Sequence, residues 1–305
     1  IINTRKEKMS TTECGLCSAK KYTLIYEGVI RDGVFGKDTS LNHKVVKCES
    51  CGLVRLLENP LSMAYYQSDE YRESYNETSK PSDYIEMHDA EQLPRLQKMK
   101  SQQFREKIVL DYGCGGGAFL DWVSGVSVET IGIEPYQGYH ESLVKRGHQV
   151  FGDSELALAK YKGRVDKIVS FFVIEHVEDP VKFLSDAYEL LREGGTMYVE
   201  TNNLNDVLVM LGSKEYERFF YRTAHLWYFD SNTLKRVAEK AGFSEISVSY
   251  RHLFDLSNAM LWLRDGMPTG NNKLNFLDSR INSSWGSFLE STGMADTVCI
   301  EMVKR

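Results

Sequence analysis

From residue 108 onward, short apolar runs alternate with stretches whose apolar residues repeat at helical spacing. No other feature of the 305 residues constrains the fold as tightly. KIVLDYG, VETIGIEP, HQVFGD, KIVSFFVIEHV, TMYVET and FSEISVSY read as six strands. AFLDWVSG, YHESLVKRG, the segment after Asp179-Pro180, and NTLKRVAEKAG read as the helices between them. In the third helix Pro180 suits the first helical position. There Phe183, Leu184, Ala187, Leu190 and Leu191 recur at helical spacing, and Gly194-Gly195 is the expected stop. Ser231 is the expected cap of the last helix. Strands that alternate with helices predict an α/β fold built on a doubly wound, mainly parallel sheet. Such a sheet binds ligands at the carboxyl ends of its strands.

The rest of the chain has a different texture. Residues 1–60 hold short β-like runs and turns (YTLIYEGVI, RDG, HKVVKC) and close at Asn59-Pro60. Residues 61–107 are polar and tyrosine-rich and read as helices, with an irregular loop near Lys80-Pro81. Residues 108–250 carry the alternating pattern, and 251–305 form a weakly patterned extension with VCIEMV as a candidate final strand. The longest apolar runs, about six residues, are too short to span a bilayer, so no membrane partner is expected. A net charge of -6 argues against broad nucleic-acid binding, which calls for a basic surface. With no secretory signal to be seen, a cytoplasmic location is expected.

The first strand runs into a glycine cluster. Gly113, Gly115, Gly116 and Gly117, broken by Cys114, follow Asp111 and Tyr112. Gly113, Gly115 and Ala118 fit the G-x-G-x-x-G/A spacing, and Glu134 follows about twenty residues on, as in dinucleotide-binding turns. Charge separates the ligands. A pyrophosphate would lie over this turn at the helix N-terminus, where the Asp111 carboxylate repels it. The same carboxylate favours a ligand that carries an ammonium and a sulfonium. With no lysine in the loop, a P-loop is excluded. Cys114 reads as a small loop residue.

Four of the six cysteines form two Cys-x-x-Cys pairs, Cys14/Cys17 and Cys48/Cys51. The two-residue gap lets both thiolates of a pair reach one tetrahedral ion, and four thiolates leave no open position for water. The expected metal is therefore structural zinc, in a small N-terminal β-rich module that the ion stabilises. Gly52 suits the tight turn of a knuckle. Iron in the same site and redox chemistry are the alternatives, although the βαβ context of a redox pair is missing. The basic residues Arg5, Lys6, Lys8, Lys20 and Lys21 keep RNA binding by this module open.

Taken together, the motifs resemble those of the class I S-adenosylmethionine-dependent methyltransferases, which have a Rossmann-like fold. VLDYGCGGGAF is similar to their first motif, IGIEP to their second and Gly152-Asp153-Ser154 to their third. KIVSFFVIEHVEDP, LREGGTMYVE and HLWYFDSNTLKRVAEKAGF follow in the family's order, so that the resemblance covers roughly 105–250. It implies S-adenosylmethionine as cofactor. Gly113, Gly115 and Gly117 would hold the methionine part, and Asp111 its amino group. Glu134 would accept both ribose hydroxyls. Asp153 and Ser154 would hold the adenine, with Phe171 or Phe172 packed near the cofactor. Either phenylalanine serves equally well as strand core.

Methyl transfer from a sulfonium needs an aligned nucleophile and, for a hydroxyl or a carbon acid, a base. Two histidines lie where strands end: His176 after the fourth strand, and His225 in FYRTAHLWYF. Both are candidate bases, and both also suit structural roles. Tyr65, Tyr66, Tyr71 and Tyr75 are candidates for a lid over a sugar or aromatic ligand. The order of zinc module, tyrosine-rich helix and methyltransferase core resembles that of enzymes acting on nucleotide sugars and surface polysaccharides. It is also similar to the deoxysugar C-methyltransferases, which carry Glu-His where this chain has Ala224-His225. The expected reaction is therefore O-methylation of a sugar-containing small molecule. C-methylation of a nucleotide-linked ketosugar, RNA methylation and a non-catalytic cofactor-binding scaffold are the alternatives.

Overall fold

The computed structural model describes residues 13–58, 61, 63–75, 78–99, 101–270 and 272–305. Its strands are β1 (Tyr22–Gly28), β2 (His43–Cys48), β3 (Val54–Leu56), β4 (Ile108–Tyr112), β5 (Glu129–Ile133), β6 (Gln149–Phe151), β7 (Val165–Phe171), β8 (Leu191–Asn202), β9 (Trp227–Tyr228), β10 (Ser244–Arg251) and β11 (Thr297–Val303). Seven of them form one sheet in the order β10-β11-β8-β7-β4-β5-β6. The run from β6 to β8 is parallel, while β11 is antiparallel to both of its neighbours. Val109, Leu110, Ile131, Ile168, Val169, Met197 and Val199 are all buried, as in a sheet covered on both faces. The six runs read as strands are strands, and the predicted doubly wound architecture is observed. No helix among the described residues is long and apolar enough to cross a membrane.

Two local readings are corrected. The helix that starts at Pro180 ends at Leu190, before the glycine pair. Gly194 and Gly195 lie inside β8, where the register against β7 shifts between Val165 and Lys167. Glycine in a strand commonly marks such an irregularity. Asp230, not Ser231, caps the Ser231–Lys240 helix. Its carboxylate accepts from Thr233 N at 2.7 Å, and Thr233 Oγ1 accepts from Asp230 N at 3.0 Å, which forms a capping box. The extension after 251 supplies the helices Leu256–Asp265 and Ser279–Thr292, and then β11. VCIEMV is thus a strand, and it lies inside the sheet. Val298, Cys299, Ile300 and Met302 are fully buried, so neither face shows the polar alternation that would have marked it.

A second, antiparallel sheet has the order β1-β2-β3-β9. Its last strand comes from residues 227–228, so the N-terminal segment and the main domain share one sheet. Within the basic cluster, Lys20 pairs with Glu13 at 3.1 Å on the surface. Arg5, Lys6, Lys8 and Asn59-Pro60 lie outside the described residues. The tyrosine-rich segment forms the helices Met63–Tyr66, Asp69–Ser74 and Pro81–Lys98, the last with Pro81 in its first turn.

Candidate active site and cysteine centre

The two cysteine pairs turn alike. Cys14 N donates to Ala19 O and Cys48 N to Leu53 O, both at 2.9 Å. Ser18 N donates to Cys14 O at 2.8 Å, and Gly52 N to Cys48 O at 2.9 Å. The residue after each second cysteine is left-handed, Ser18 at φ 59° and Gly52 at φ 81°. This brings Cys14 Sγ to 3.5 Å from Cys51 Sγ and Cys17 Sγ to 3.6 Å from Cys48 Sγ, and all four sulfurs lie within 4.8 Å of one another. A tetrahedron of about 2.3 Å zinc–sulfur bonds has edges of about 3.8 Å, so the four thiols fit a zinc ion. The knuckles belong to the main core. Leu16 and Leu53 share a cluster with Trp227, Leu234, Val237 and Ala238, and Arg236 Nη1 donates to Cys51 O at 3.0 Å.

At the carboxyl ends of β4, β5, β7 and β8 a cavity of about 620 Å³ opens. It lies where the sheet order reverses, between β4 and β7, the expected place for a ligand. The glycine turn forms one end. Gly113, Gly115 and Gly117 have φ of 87°, 52° and 84°, a region side-chain-bearing residues avoid. A Cβ at Gly113 would collide with Val173, and one at Gly115 or Gly116 with Tyr84. Asp111 lines this end, and its buried Oδ1 has no hydrogen-bond partner among the described residues. Burial lifts the Asp111 carboxyl to about 7, against the pull of Arg95, while Glu134 pushes it further up.

Glu134 follows β5 and is 7% exposed. Its Oε2 accepts from Gly115 N at 2.9 Å, and its Oε1 from Tyr136 N at 2.8 Å and from Arg72 at 3.4 Å. Burial raises its pKa. Arg72 also stacks on the Tyr136 ring at 3.5 Å. Arg95 donates to Glu200 at 3.1 Å and covers Phe171 at 4.2 Å. Phe171 and Phe172 both line the cavity, and Phe172 is left-handed at φ 56°. For so bulky a residue this conformation is strained, and the bond from Phe172 N to Glu200 O at 2.9 Å holds it. Burial pushes the Cys114 thiol well up, in keeping with a loop residue that is not reactive.

The other end collects the candidate bases and the tyrosines. His176 and His225 both line it, with ring centroids 4.8 Å apart. His176 Nδ1 lies 2.7 Å from the Ala224 carbonyl, so Nδ1 carries the proton and Nε2 the lone pair. Burial holds His176 at about 4 and His225 well below its ordinary value, so both rings are neutral near pH 7. Glu175, beside them, is raised to about 7 by burial, and accepts from Thr201 Oγ1 at 2.9 Å and Asn202 at 3.1 Å. The Glu175, His176 and His225 ligand atoms lie within 4.8 Å of one another, but Arg222 lines the same end and disfavours a cation there. Tyr66, Tyr71 and Tyr75 line this end, and Tyr65 packs behind them at 5.7 Å from Tyr71. Tyr66 Oη donates to Ala224 O at 2.7 Å.

The structure therefore brings Asp111, Gly113, Gly115, Glu134, Phe171, Phe172, His176 and His225 to one cavity. It gives three residues other surroundings. Asp153 caps the Ser154–Tyr161 helix, accepting from Leu156 N at 2.8 Å. Ser154 Oγ donates to Asp186 at 2.8 Å. Gly117 closes the turn against Leu143. Sequence reasoning missed Arg31, Arg72, Tyr84, Arg95 and Arg222, all of which line the cavity. In a polar segment an arginine reads as a solvated charge. The acid that buries Arg95, Glu200, is 105 positions away.

A doubly wound sheet with an acid-flanked glycine turn at its switch point defines an α/β domain that binds a nucleoside-type cofactor. Residues 86–248 match the family model described as a methyltransferase domain, and the chain belongs to that family. It is 27% identical over 151 residues to the ubiquinone biosynthesis O-methyltransferase of Ruegeria sp. (strain TM1040), which covers 45% of this chain and 60% of that protein. The mitochondrial protein of the same name from Rattus norvegicus is 24% identical over 156 residues, 46% of this chain and 45% of its own. The chain thus spans 60% or less of the length of these two relatives, whose names point to ubiquinone rather than to sugars. The fold is shared with a methyltransferase of Thermotoga maritima (TM-score 0.50, 24% identity, 73% of this chain and 94% of that one). It is shared likewise with one of Archaeoglobus fulgidus (TM-score 0.50, 16% identity, 77% and 98%).

Proposed function

We propose that the chain is an S-adenosylmethionine-dependent O-methyltransferase that acts on a small-molecule hydroxyl, with structural zinc in the four-cysteine centre. The observation that carries this reading is the unpartnered, buried Asp111 oxygen beside a glycine turn that side chains would block. A buried carboxylate without a partner is costly, and the ammonium of a bound amino acid group relieves that cost. When bound, S-adenosylmethionine supplies an electrophilic methyl group on a sulfonium. Asp111 orients the cationic end, Glu134 takes the ribose hydroxyls, and Arg72 steadies Glu134. Phe171 and Phe172 pack against the cofactor. Asp153 and Ser154 remain the proposed adenine contacts, on resemblance alone.

Affinity for S-adenosylmethionine is expected to depend on pH through Asp111. The folded carboxyl titrates at about 7, against an ordinary value of 3.8. A raised carboxyl stabilises the fold fully at low pH, and this contribution is lost as pH rises from about 4 to about 7. Cation binding has the opposite sign, because it needs the ionised form. Affinity should therefore rise towards pH 7 and fall again above about pH 8, where the ligand's own amino group loses its proton. In Asp111→Asn the slope should become shallower, what remains coming from Glu134, with affinity near pH 7.5 lower by about tenfold or more. Calorimetry across pH tests this, and an unchanged slope in the variant would refute the Asp111 assignment.

We assign the base to the His176–His225 pair. His176 is neutral near pH 7, and with Nδ1 bound to the Ala224 carbonyl its Nε2 is the nitrogen that would take the acceptor's proton. His176→Ala should lower kcat by about 100-fold or more with little change in KM. Full activity in both His176→Ala and His225→Ala would remove the pair from the mechanism. For the acceptor we propose a ring-bearing hydroxyl compound of the sugar or nucleotide-sugar kind, supported by Tyr66, Tyr71 and Tyr75 around the cavity. The names of the relatives favour a phenolic hydroxyl as the second reading. Turnover on a panel of both kinds separates them.

A further inference from the structure

We infer that Arg31 and Arg222 form an anion-binding subsite for a phosphate group on the methyl acceptor. Arg31 lies between β1 and β2, and Arg222 lies just before β9. The two segments meet as a parallel bridge at Arg31 and Arg222. Arg31 N donates to Tyr221 O at 3.1 Å, and Thr223 N donates to Arg31 O at 3.0 Å. This pairing sets the two residues side by side, and both line the acceptor end of the cavity.

Neither guanidinium has an ion-pair partner among the described residues, and the Nε of each is buried without an acceptor. Arg31 is only 8% exposed. Its guanidinium rests on the Phe219 ring at 4.3 Å, which offsets part of the desolvation but accepts no hydrogen bond. The acids nearby are engaged elsewhere. Glu175 accepts from Thr201 and Asn202, and Asp32 accepts from Thr223 Oγ1 at 2.8 Å. Burial, and after it the neighbouring Arg222, pushes the Arg31 guanidinium below its ordinary range. Buried charges are ordinarily paired. Two that are adjacent, unpaired and facing a cavity are matched by a ligand with several anionic oxygens. A guanidinium fork suits phosphate oxygens in particular.

The cavity is therefore polarised. Asp111 and Glu134 meet a cationic donor at the glycine turn, while Arg31 and Arg222 meet an anionic acceptor at the other end. The subsite rests on the acceptor cavity proposed above, and the test separates the two. Binding of inorganic pyrophosphate, of methyl phosphate and, as a carboxylate control, of benzoate is measured by calorimetry on the full chain at fixed ionic strength. S-adenosylmethionine is titrated in parallel. The expected result is that pyrophosphate binds best, that Arg31→Gln and Arg222→Gln each weaken it about tenfold or more, and that Arg31→Lys weakens it less. Affinity for S-adenosylmethionine should stay within about twofold in all three, which also reports intact folding. Pyrophosphate binding that is indifferent to Arg31→Gln and Arg31→Lys overturns the subsite while leaving the cofactor site standing. Benzoate binding as tight as pyrophosphate overturns the phosphate assignment. Loss of S-adenosylmethionine binding in the unsubstituted protein overturns the cofactor reading instead.

Discussion

Glu134→Ala is expected to weaken S-adenosylmethionine binding by at least about 100-fold, the loss of two hydrogen bonds to one charged acceptor at about 1.5–3 kcal/mol each. The carboxylate is buried and held by two backbone donors, Gly115 N and Tyr136 N, so it is fixed in place before any ligand arrives. That preorganisation makes the effect large, because no ordering of the side chain offsets the gain on binding. The substitution also strands those two backbone donors and removes the ion-pair partner of Arg72, which keeps its bonds to Tyr66 O and Ser68 O, so it should lower thermal stability as well. Glu134→Gln keeps the volume and one acceptor, and should fall between the two. Calorimetry with S-adenosylmethionine, alongside melting curves, checks both effects. Unchanged affinity in a folded Glu134→Ala protein would remove the ribose assignment.

The second large effect is expected from the four-cysteine centre. Purified protein should carry close to one zinc per chain by elemental analysis. Removing it, or making Cys51→Ser, should lower the melting temperature by more than about 10 °C. Structural zinc contributes on the order of 10 kcal/mol in small modules, and a few kcal/mol suffice for that shift. The loss cannot stay local, because Leu16 and Leu53 share a core with Leu234, Val237 and Ala238. It also reaches the cavity. Leu56 N donates to Leu226 O and Leu226 N to Glu175 O, at 2.9 and 2.8 Å, one residue from His225. Metal-free protein that melts at the same temperature and keeps its activity would show that the thiols hold no structural ion.

The parallel sheet was legible because its strands are apolar on both faces and its helices keep their period. The glycine turn and its acids were legible because backbone conformation and charge restrict those positions to few residue types. What was not legible depends on pairing over long distances. Arg95 reaches its buried partner Glu200 across 105 positions, and Arg31 meets Arg222 only because β9 joins the N-terminal sheet. The family match begins at residue 86, so Arg31, Tyr66, Tyr71, Arg72, Tyr75 and Tyr84 all lie outside it. The glycine turn, Glu134 and both histidines fall within the matched segment, while the three tyrosines, Tyr84, Arg31 and Arg72 come to the cavity from before it.

The place of β11 bears on how the chain comes to be folded as it is made. β10 touches the large sheet only through β11, and β11 is translated more than forty residues after β10 ends. Until then β10 has no strand to join, and β8 presents an open edge beside a folded parallel core. An open, apolar edge is the surface most prone to pair with another nascent chain. The β8 edge is therefore where a chaperone would be needed during synthesis, and where a truncated product would aggregate.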